Sequence, residues 1–370
     1  MAVRLARCLG LLMALGLVMT TGFAQSPDEE PLRVGVAGLV HGHVGWILKA
    51  MQRPDIEVVG IAEPNRALAQ RYAEQYGFSM DIVYDDLVTM LEQTRPEAVT
   101  AFNAIYDHLA TVEACAPRGI HVMVEKPLAV SLEHARRMAA LANEHSIHLL
   151  TNYETTWYGS NHAVYVLVQD SVLGALRKVV VHDGHSGPKE IGVGPEFLKW
   201  LTDPKLNGGG ALMDFGCYGA NLITWLMQGQ RPTTVTAVTQ QIKPDVYPKV
   251  EDEATIILTY PHAQGIIQAS WNWPVSRKDM EVYGQTGYAY ALNATDLRLR
   301  RPPAKADVMQ QAPARPAPYD DPFTYLAAVV RGTVTVAPTD LSALENNLTV
   351  VEILDAAKRS AQTGKRVSLK

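Results

Sequence analysis

Cysteine is scarce in this chain: three residues in 370, at positions 8, 115 and 217. Three thiols build no disulfide framework, and no cysteine or histidine set has metal-ligand spacing, so no metal is expected. A positive charge balance is missing too, the formal net charge being -5. That excludes nucleic acid as a partner, because phosphate neutralisation needs a basic footprint. Charged residues are only 19% against 47% hydrophobic, which describes a globular protein and not a disordered one. There is no internal repeat and no long low-complexity tract. The one Pro/Ala-rich segment, "RRPPAKADVMQQAPARPAPYDDP" from Arg300, reads as a surface linker. The one long apolar run, Leu9 to Met19, is short for a membrane span.

That run carries its own reading. Arg4 and Arg7 precede it, and Gly22 and Ala24 fit the -3 and -1 positions of a cleavage site. Residues 1–25 therefore read as a Sec-type signal peptide, with an uncleaved anchor as the alternative. Arg4 and Arg7 are not adjacent, so the twin-arginine signal is absent. The expectation is an exported, periplasmic protein with no stable membrane insertion once the signal is cleaved. Cys8 leaves with it, and Cys115 and Cys217 read as two buried thiols.

A mature chain this long is expected to hold two domains. Over 31–150, apolar β-rich runs alternate with amphipathic stretches: "LRVGVAG", "IEVVGIAEP", "PEAVTAFNA", "IHVMVEKP" and "IHLLTNY" are strands with helices between them. Such alternation predicts an α/β doubly wound parallel sheet, a Rossmann domain. In "RVGVAGLVHGHVGWIL" a glycine turn follows the first strand, where backbone can approach a pyrophosphate. Gly38 and Gly42 supply glycines, but Val40 and His43 stand where further glycines are usual. Two imidazoles in one loop, His41 and His43, also suit a metal, but nothing pairs with them by sequence; His43 otherwise touches phosphate or substrate, or either residue caps the turn. Glu63 ends the second strand about where an acid holds ribose hydroxyls. An acid there opposes a 2′-phosphate, which favours NAD, while Arg66 keeps NADP open.

Two further motifs are more specific. "VMVEKPLAV", Val122 to Val130, places Glu125-Lys126-Pro127 at a strand end, and "NGGGALMDFGCYGANLITWLMQG" runs from Asn207 to Gly229. With the tail from Leu341 to Leu369, these resemble the Gfo/Idh/MocA family of glucose–fructose oxidoreductase and inositol dehydrogenase. The pattern Asp-x-Gly-x-Tyr-x-x-Asn, with Tyr218 and Asn221 in place of a histidine and an acid, is more similar to the glucose–fructose oxidoreductase branch and its dihydrodiol dehydrogenase relatives. The resemblance implies that Lys126, Asp214 and Tyr218 form the catalytic group, with Tyr218 moving the proton. It also implies cofactor contacts from Asn103, His108, Glu125 and Lys126. Asn103 or Ala104 stands near the place of the family's usual loop proline.

The residues support that chemistry on their own terms. Asp214 and Tyr218 are four apart, on one face of a helix start. Oxidising an alcohol requires a base, and reducing a carbonyl the matching acid. Taken singly, Lys126 also reads as a surface lysine beside a proline turn, and Tyr218 as a core aromatic.

Residues 151–370 read as a second, α+β domain with an open, mostly antiparallel sheet and a closing helix over 340–362 that packs back. In the family that sheet pairs subunits, which implies a homo-oligomer, a dimer or tetramer. Residues 183–205 read as a long loop, with His185, Lys189 and Trp200 as candidate substrate contacts. Asn152 and Tyr153 begin the crossover and are candidates for reaching cofactor or substrate. Trp271 and Trp273 read as strand neighbours on one face, able to stack on a sugar or on another subunit. The expected function is hydride exchange between NAD(P) and a small-molecule carbohydrate. Free NAD is scarce outside the cytoplasm, so a tightly bound cofactor and redox-neutral turnover are expected. Pairing of two sugars and an NAD-dependent glycosidase route both satisfy this. A sugar-binding protein without chemistry is the reading from another class.

Overall fold

The computed structural model describes residues 30–51 and 53–369; the signal-peptide expectation for 1–25 lies outside the described residues. Leu32–Ala37 (β1), Ile56–Ala62 (β2), Val83–Tyr84 (β3), Ala98–Ala101 (β4), His121–Glu125 (β5) and Leu149–Asn152 (β6) form one sheet. Its order is β3-β2-β1-β4-β5-β6, and every pairing is parallel. Helices cover both faces, so β4 and β6 are buried along their length. Asn65, Asp86 and Ser131 cap the helices Arg66–Tyr76, Leu87–Thr94 and Leu132–Glu144 with their side chains. This is the expected doubly wound sheet. Its strand order reverses between β1 and β4, which opens a crevice at their carboxyl ends.

The second sheet comprises Leu176–Gly184 (β7), Thr234–Gln240 (β8), Glu253–Thr259 (β9), Gln264–Ser270 (β10), Arg277–Gly284 (β11), Tyr288–Ala291 (β12), Asp296–Arg300 (β13), Val308–Gln311 (β14) and Val367–Ser368 (β15). The order is β14-β13-β12-β11-β7-β10-β9-β8-β15. Within this sheet only β7 and β10 pair in parallel among the described residues. The inner face carries Val179, Val181, Ile256, Ile267 and Met280, packed on the helix Gly216–Leu226, all of whose residues are buried. The outer face alternates with it and is half exposed. The mostly antiparallel sheet expected from the sequence is present.

Three segments differ from their sequence reading. The Pro/Ala-rich linker contains β14, an edge strand with all four residues exposed; two-strand pairing with β13 needs no buried face. The 183–205 loop contains the helix Pro195–Leu201, started by Pro195 and favoured by Glu196 in its first turn and Lys199 in its last. Not all of 151–370 stays with the second sheet. Helix Pro322–Val330 returns to the first, where Phe323, Leu326 and Val329 join the cluster of Leu32, Val34 and Ile56. Asp321 caps it through Phe323 N–H at 2.7 Å, and Arg53 binds Asp321 at 2.6 Å. The closing helix runs Leu344–Thr363 and lies against the helices Gly216–Leu226 and Leu132–Glu144.

Candidate functional site

The chain turns at Gly38 with φ 80°, and a Cβ there would lie 2.8 Å from the Cα of Asn103. Only glycine allows this approach of the loop to the end of β4. Leu39 N–H and Asn65 N–H donate to the two carboxylate oxygens of Glu63, each at 2.8 Å. Burial pushes the Glu63 carboxyl up, and these two amides oppose it. His41 caps the next turn, its Nδ1 accepting His43 N–H at 3.1 Å. Trp200 closes the loop from outside, its indole donating to the Val40 carbonyl at 3.3 Å.

A cleft of about 660 Å³ lies here, lined by Gly38, Val40, Glu63, Asn103, Thr111 and Trp200. Its volume is that of a small-ligand site. The buried Asn103 Oδ1 has no partner among the described residues. Position at the switch point, the close backbone approach and the acid at the end of β2 all fit a dinucleotide.

A second cavity of about 490 Å³ lies between His41 and His43 on one side and the second sheet on the other. Glu125 supports the loop from beneath. Its Oε2 lies 3.0 Å from His43 Nδ1, and its Oε1 accepts the Asn152 amide at 2.8 Å. Burial works against the Glu125 charge, but the His43 and His41 imidazoles and the Asn152 amide hold its carboxyl well below the usual range. His41, His43 and Glu125 bring three ligand-type atoms within 4.8 Å of one another. Hydrogen bonds engage His43 Nδ1 and Glu125 as supports of the loop, while His41 Nε2 lies 3.9 Å from Glu125.

One residue on, Lys126 Nζ donates to Asp214 Oδ1 at 2.5 Å and to the Asp214 carbonyl at 2.9 Å. The Trp271 indole donates to the other Asp214 oxygen at 3.0 Å. Asp214 is presented by a sharp turn: Gly210 and Leu212 N–H both donate to Glu251, and a Cβ on Gly210 would clash with the Glu251 carbonyl. The chain then breaks at Phe215 between two helices, Ala211–Asp214 and Gly216–Leu226, yet Asp214 and Tyr218 still face one cavity. Two cations lie near the Tyr218 ring, Lys126 Nζ 4.9 Å and Lys278 Nζ 4.7 Å from its centre. Lys278 itself is ion-paired with Glu154. Burial disfavours the Lys126 charge, but the Asp214 carboxylate outweighs it and holds the ammonium form. Burial raises the Tyr218 phenol well above its ordinary value, and Glu154 and Asp183 add to this. The resting site thus holds two proton donors and a paired carboxylate.

The sequence candidates divide cleanly. Lys126, Asp214 and Tyr218 converge, and Lys126 is buried, not a surface lysine. Gly38, Val40, Glu63 and Asn103 line the first cleft; His41, His43 and His185 line the second. Gly42 faces the Phe197 ring. His185 Nδ1 accepts Gly187 N–H at 2.9 Å, which leaves Nε2 to carry the proton. Other residues sit elsewhere than expected, Glu125 among them: a candidate cofactor contact, it is buried beneath the loop and lines neither cavity. Arg66 binds the Val83 carbonyl at 3.0 Å and lies 3.7 Å from Asp85. His108 is fully buried and bonded to the Leu128 carbonyl at 3.1 Å. Asn152 joins Glu125 to Trp157, and Tyr153 is buried edge-on to Tyr218 at 5.5 Å. Trp200 belongs to the first cleft, not to the substrate cavity. Trp271 and Trp273 follow the end of β10 and part: Trp271 is buried on Asp214, while Arg277 lies over Trp273. Asn221 is structural, donating to the Leu341 carbonyl at 2.8 Å. Sequence reading missed Asp183, Lys278 and Glu154. A signal for the first two existed: each is a charge continuing a buried row, Val179–Val181–Asp183 and Lys278–Met280–Val282.

Comparison with known proteins agrees with this geometry. Residues 32–153 match the family described as oxidoreductase family, NAD-binding Rossmann fold, and residues 162–290 match the GFO/IDH/MocA C-terminal domain. The trans-1,2-dihydrobenzene-1,2-diol dehydrogenase of Sus scrofa is 26% identical over 267 residues, 71% of this chain and 74% of that protein. The D-xylose 1-dehydrogenase [NADP(+)] of Haloarcula marismortui is 23% identical, covering 67% of this chain and 69% of its own. Among solved structures, the aldose-aldose oxidoreductase from Caulobacter crescentus complexed with glycerol shares the fold with a TM-score of 0.77 at 22% identity, covering 92% of this chain and 100% of that one. An inositol dehydrogenase homolog from Azotobacter vinelandii, complexed with NAD+, gives 0.76 at 19% identity, covering 92% and 98%.

Proposed function

The chain belongs to the GFO/IDH/MocA oxidoreductase family, with an NAD-binding first domain, and from that premise we propose that it is an exported enzyme that exchanges hydride with a sugar or polyol carbon while keeping its cofactor bound. The observation that carries the chemistry is the convergence of Lys126, Asp214 and Tyr218 in one cavity facing the glycine loop.

The Gly38 turn would admit the pyrophosphate, and Glu63 and Asn103 would meet the adenosine ribose. Bound there, the nicotinamide supplies or accepts the hydride. The ammonium of Lys126, fixed by Asp214, offers N–H donors to the oxygen on the reacting carbon and stabilises charge that develops on it. Tyr218 gives its proton to that oxygen in reduction and takes one in oxidation. Trp271 acts only through Asp214, whose carboxylate it orients.

Export is supported by Arg4, Arg7 and the apolar run from Leu9. A periplasmic enzyme with little free NAD around it is best served by redox-neutral turnover, in which one sugar is oxidised and another reduced. The two-aldose activity in the name of the structurally similar Caulobacter protein supports this route. A homo-oligomer is supported by Val238 and Ile257, exposed apolar residues on the outer face of the second sheet.

The test is to purify the mature protein natively, denature it, and identify any released nucleotide by absorbance and mass. Stoichiometric NAD or NADP is expected. No nucleotide, and no binding when either is added back, would sink the proposal.

A further inference from the structure

Asp183 has no part in the chemistry above. It follows Val179 and Val181 on the inner face of the second sheet, and lies directly across from Lys278 on β11. Where the valines pack on the helix Gly216–Leu226, Asp183 instead lines the 490 Å³ cavity that holds Lys126, Asp214 and Tyr218. It is 1% exposed, and its Oδ1 has no hydrogen-bond partner among the described residues. The two cations nearest it in charge are engaged elsewhere, Lys278 with Glu154 and Lys126 with Asp214. Burial pushes the Asp183 carboxyl well above its usual range, Lys278 and Lys126 oppose this, and Glu154 and Asp214 add to it.

A neutral carboxyl offers one O–H donor and a carbonyl acceptor. A hydroxyl group is the complementary partner, being donor and acceptor at once. Buried polar groups without partners are rare and unfavourable, so a ligand that fills this cavity is expected to complete the set. Lys126 is paired with Asp214 and Lys278 with Glu154, so these groups offer a charged ligand no uncompensated charge.

We propose that Asp183 is a substrate-binding residue that takes the hydroxyl next to the reacting carbon, the contact by which this site tells a vicinal diol from a lone alcohol. The words "reacting carbon" rest on the oxidoreductase reading; the polyol subsite does not. Lys126 and Tyr218 hold the oxygen that changes oxidation state, and Asp183 holds its neighbour.

Infrared difference spectra test this. myo-Inositol, D-xylose, trans-1,2-cyclohexanediol or cyclohexanol is added to the full-length mature protein, with and without NADH. At least one polyhydroxyl compound is expected to shift a protonated-carboxyl C=O band that Asp183→Asn lacks. Cyclohexanol leaves the band in place, and Asp183→Asn weakens polyol binding on the order of tenfold. The proposal is overturned by no shift with any of the three polyhydroxyl compounds, by an equal shift with cyclohexanol, or by unchanged affinity in Asp183→Asn. Should that variant not fold, Asp183→Ser supplies the band assignment and the affinity comparison in its place. Retained nucleotide is read separately by denaturing the protein, and NADH binding to any nucleotide-free protein by quenching of tryptophan fluorescence. A polyol shift in protein that neither carries nor binds a nucleotide keeps the subsite and removes the oxidoreductase reading; a carried or bound nucleotide without a polyol shift does the reverse.

Discussion

Lys126 donates twice to Asp214, to a carboxylate oxygen at 2.5 Å and to the backbone carbonyl at 2.9 Å. Both side chains are buried, so removing one leaves the other charged and unpaired. Lys126→Met is expected to destabilise the protein by about 3–5 kcal/mol, besides abolishing turnover. The double variant Lys126→Met/Asp214→Leu should recover much of that stability and none of the activity. Urea denaturation beside an activity assay separates the two. A double variant no more stable than the single would show that charge pairing is not the cause.

Tyr218→Phe keeps the ring near its two cations and removes only the hydroxyl. Turnover is expected to fall by about 10²–10⁴-fold, with NADH affinity unchanged. A rise in the nucleotide dissociation constant that matches the loss of turnover would assign Tyr218 to cofactor binding instead.

The pH profile should depend on direction. Reduction needs Lys126 and Tyr218 protonated, and both are held above their ordinary values. Reduction should therefore stay level to roughly pH 10 and fail only above it, while oxidation should rise with pH. Asp214→Asn removes the carboxylate that raises Lys126 and leaves burial, which lowers it. The alkaline limit of reduction should then move to lower pH, as initial rates in a constant-ionic-strength buffer series will report.

Gly38→Ala places a methyl group 2.8 Å from the Asn103 backbone at a φ of 80°. The loop must shift, and nucleotide binding should be lost while the fold persists. Calorimetric titration with NADH and circular dichroism together test this. Unchanged affinity would mean that the loop does not form the pyrophosphate site.

Acid should unfold the protein partly through buried histidines. Burial lowers His108 from 6.5 to about 4, and His162 likewise. The unfolded chain takes up these protons near pH 6.5 and the folded chain resists until about pH 4. Stability is therefore complete above pH 6.5 and lost as pH falls across that window, by up to about 3 kcal/mol for His108. His108→Gln should flatten its share of the slope in denaturant titrations at pH 7 and pH 5.

The readable parts of the site were those written along one stretch of chain. Gly38, Glu63 and Lys126 each directly follow a strand of a regularly alternating pattern, so their placement along the carboxyl edge of the first sheet follows from the topology. Asp214 and Tyr218 share a segment whose glycines and acid are closely spaced. The misplaced residues depended on contacts that spacing does not encode. Trp200 faces the first cleft because the short helix Pro195–Leu201 leans on Val40, 160 residues earlier. Asn152 is taken by Glu125 from the neighbouring strand. Lys278 and Asp183 meet through the register of β7 and β11, which becomes visible only when the strands are paired.

The return of Pro322–Val330 to the first sheet makes the two halves inseparable by a single cut. A fragment stopped after β6 would carry the whole glycine loop and the lysine, yet would leave bare the apolar surface that Phe323, Leu326 and Val329 cover. Arg53 would lose Asp321 at the same time. Domain exchange between relatives therefore requires three junctions, one before the second sheet and one on each side of this helix, so that the helix travels with the nucleotide domain it completes while the closing helix and β15 stay with the second sheet. Supplied as a separate peptide, the same nine residues offer a way to ask whether that domain can be assembled from pieces.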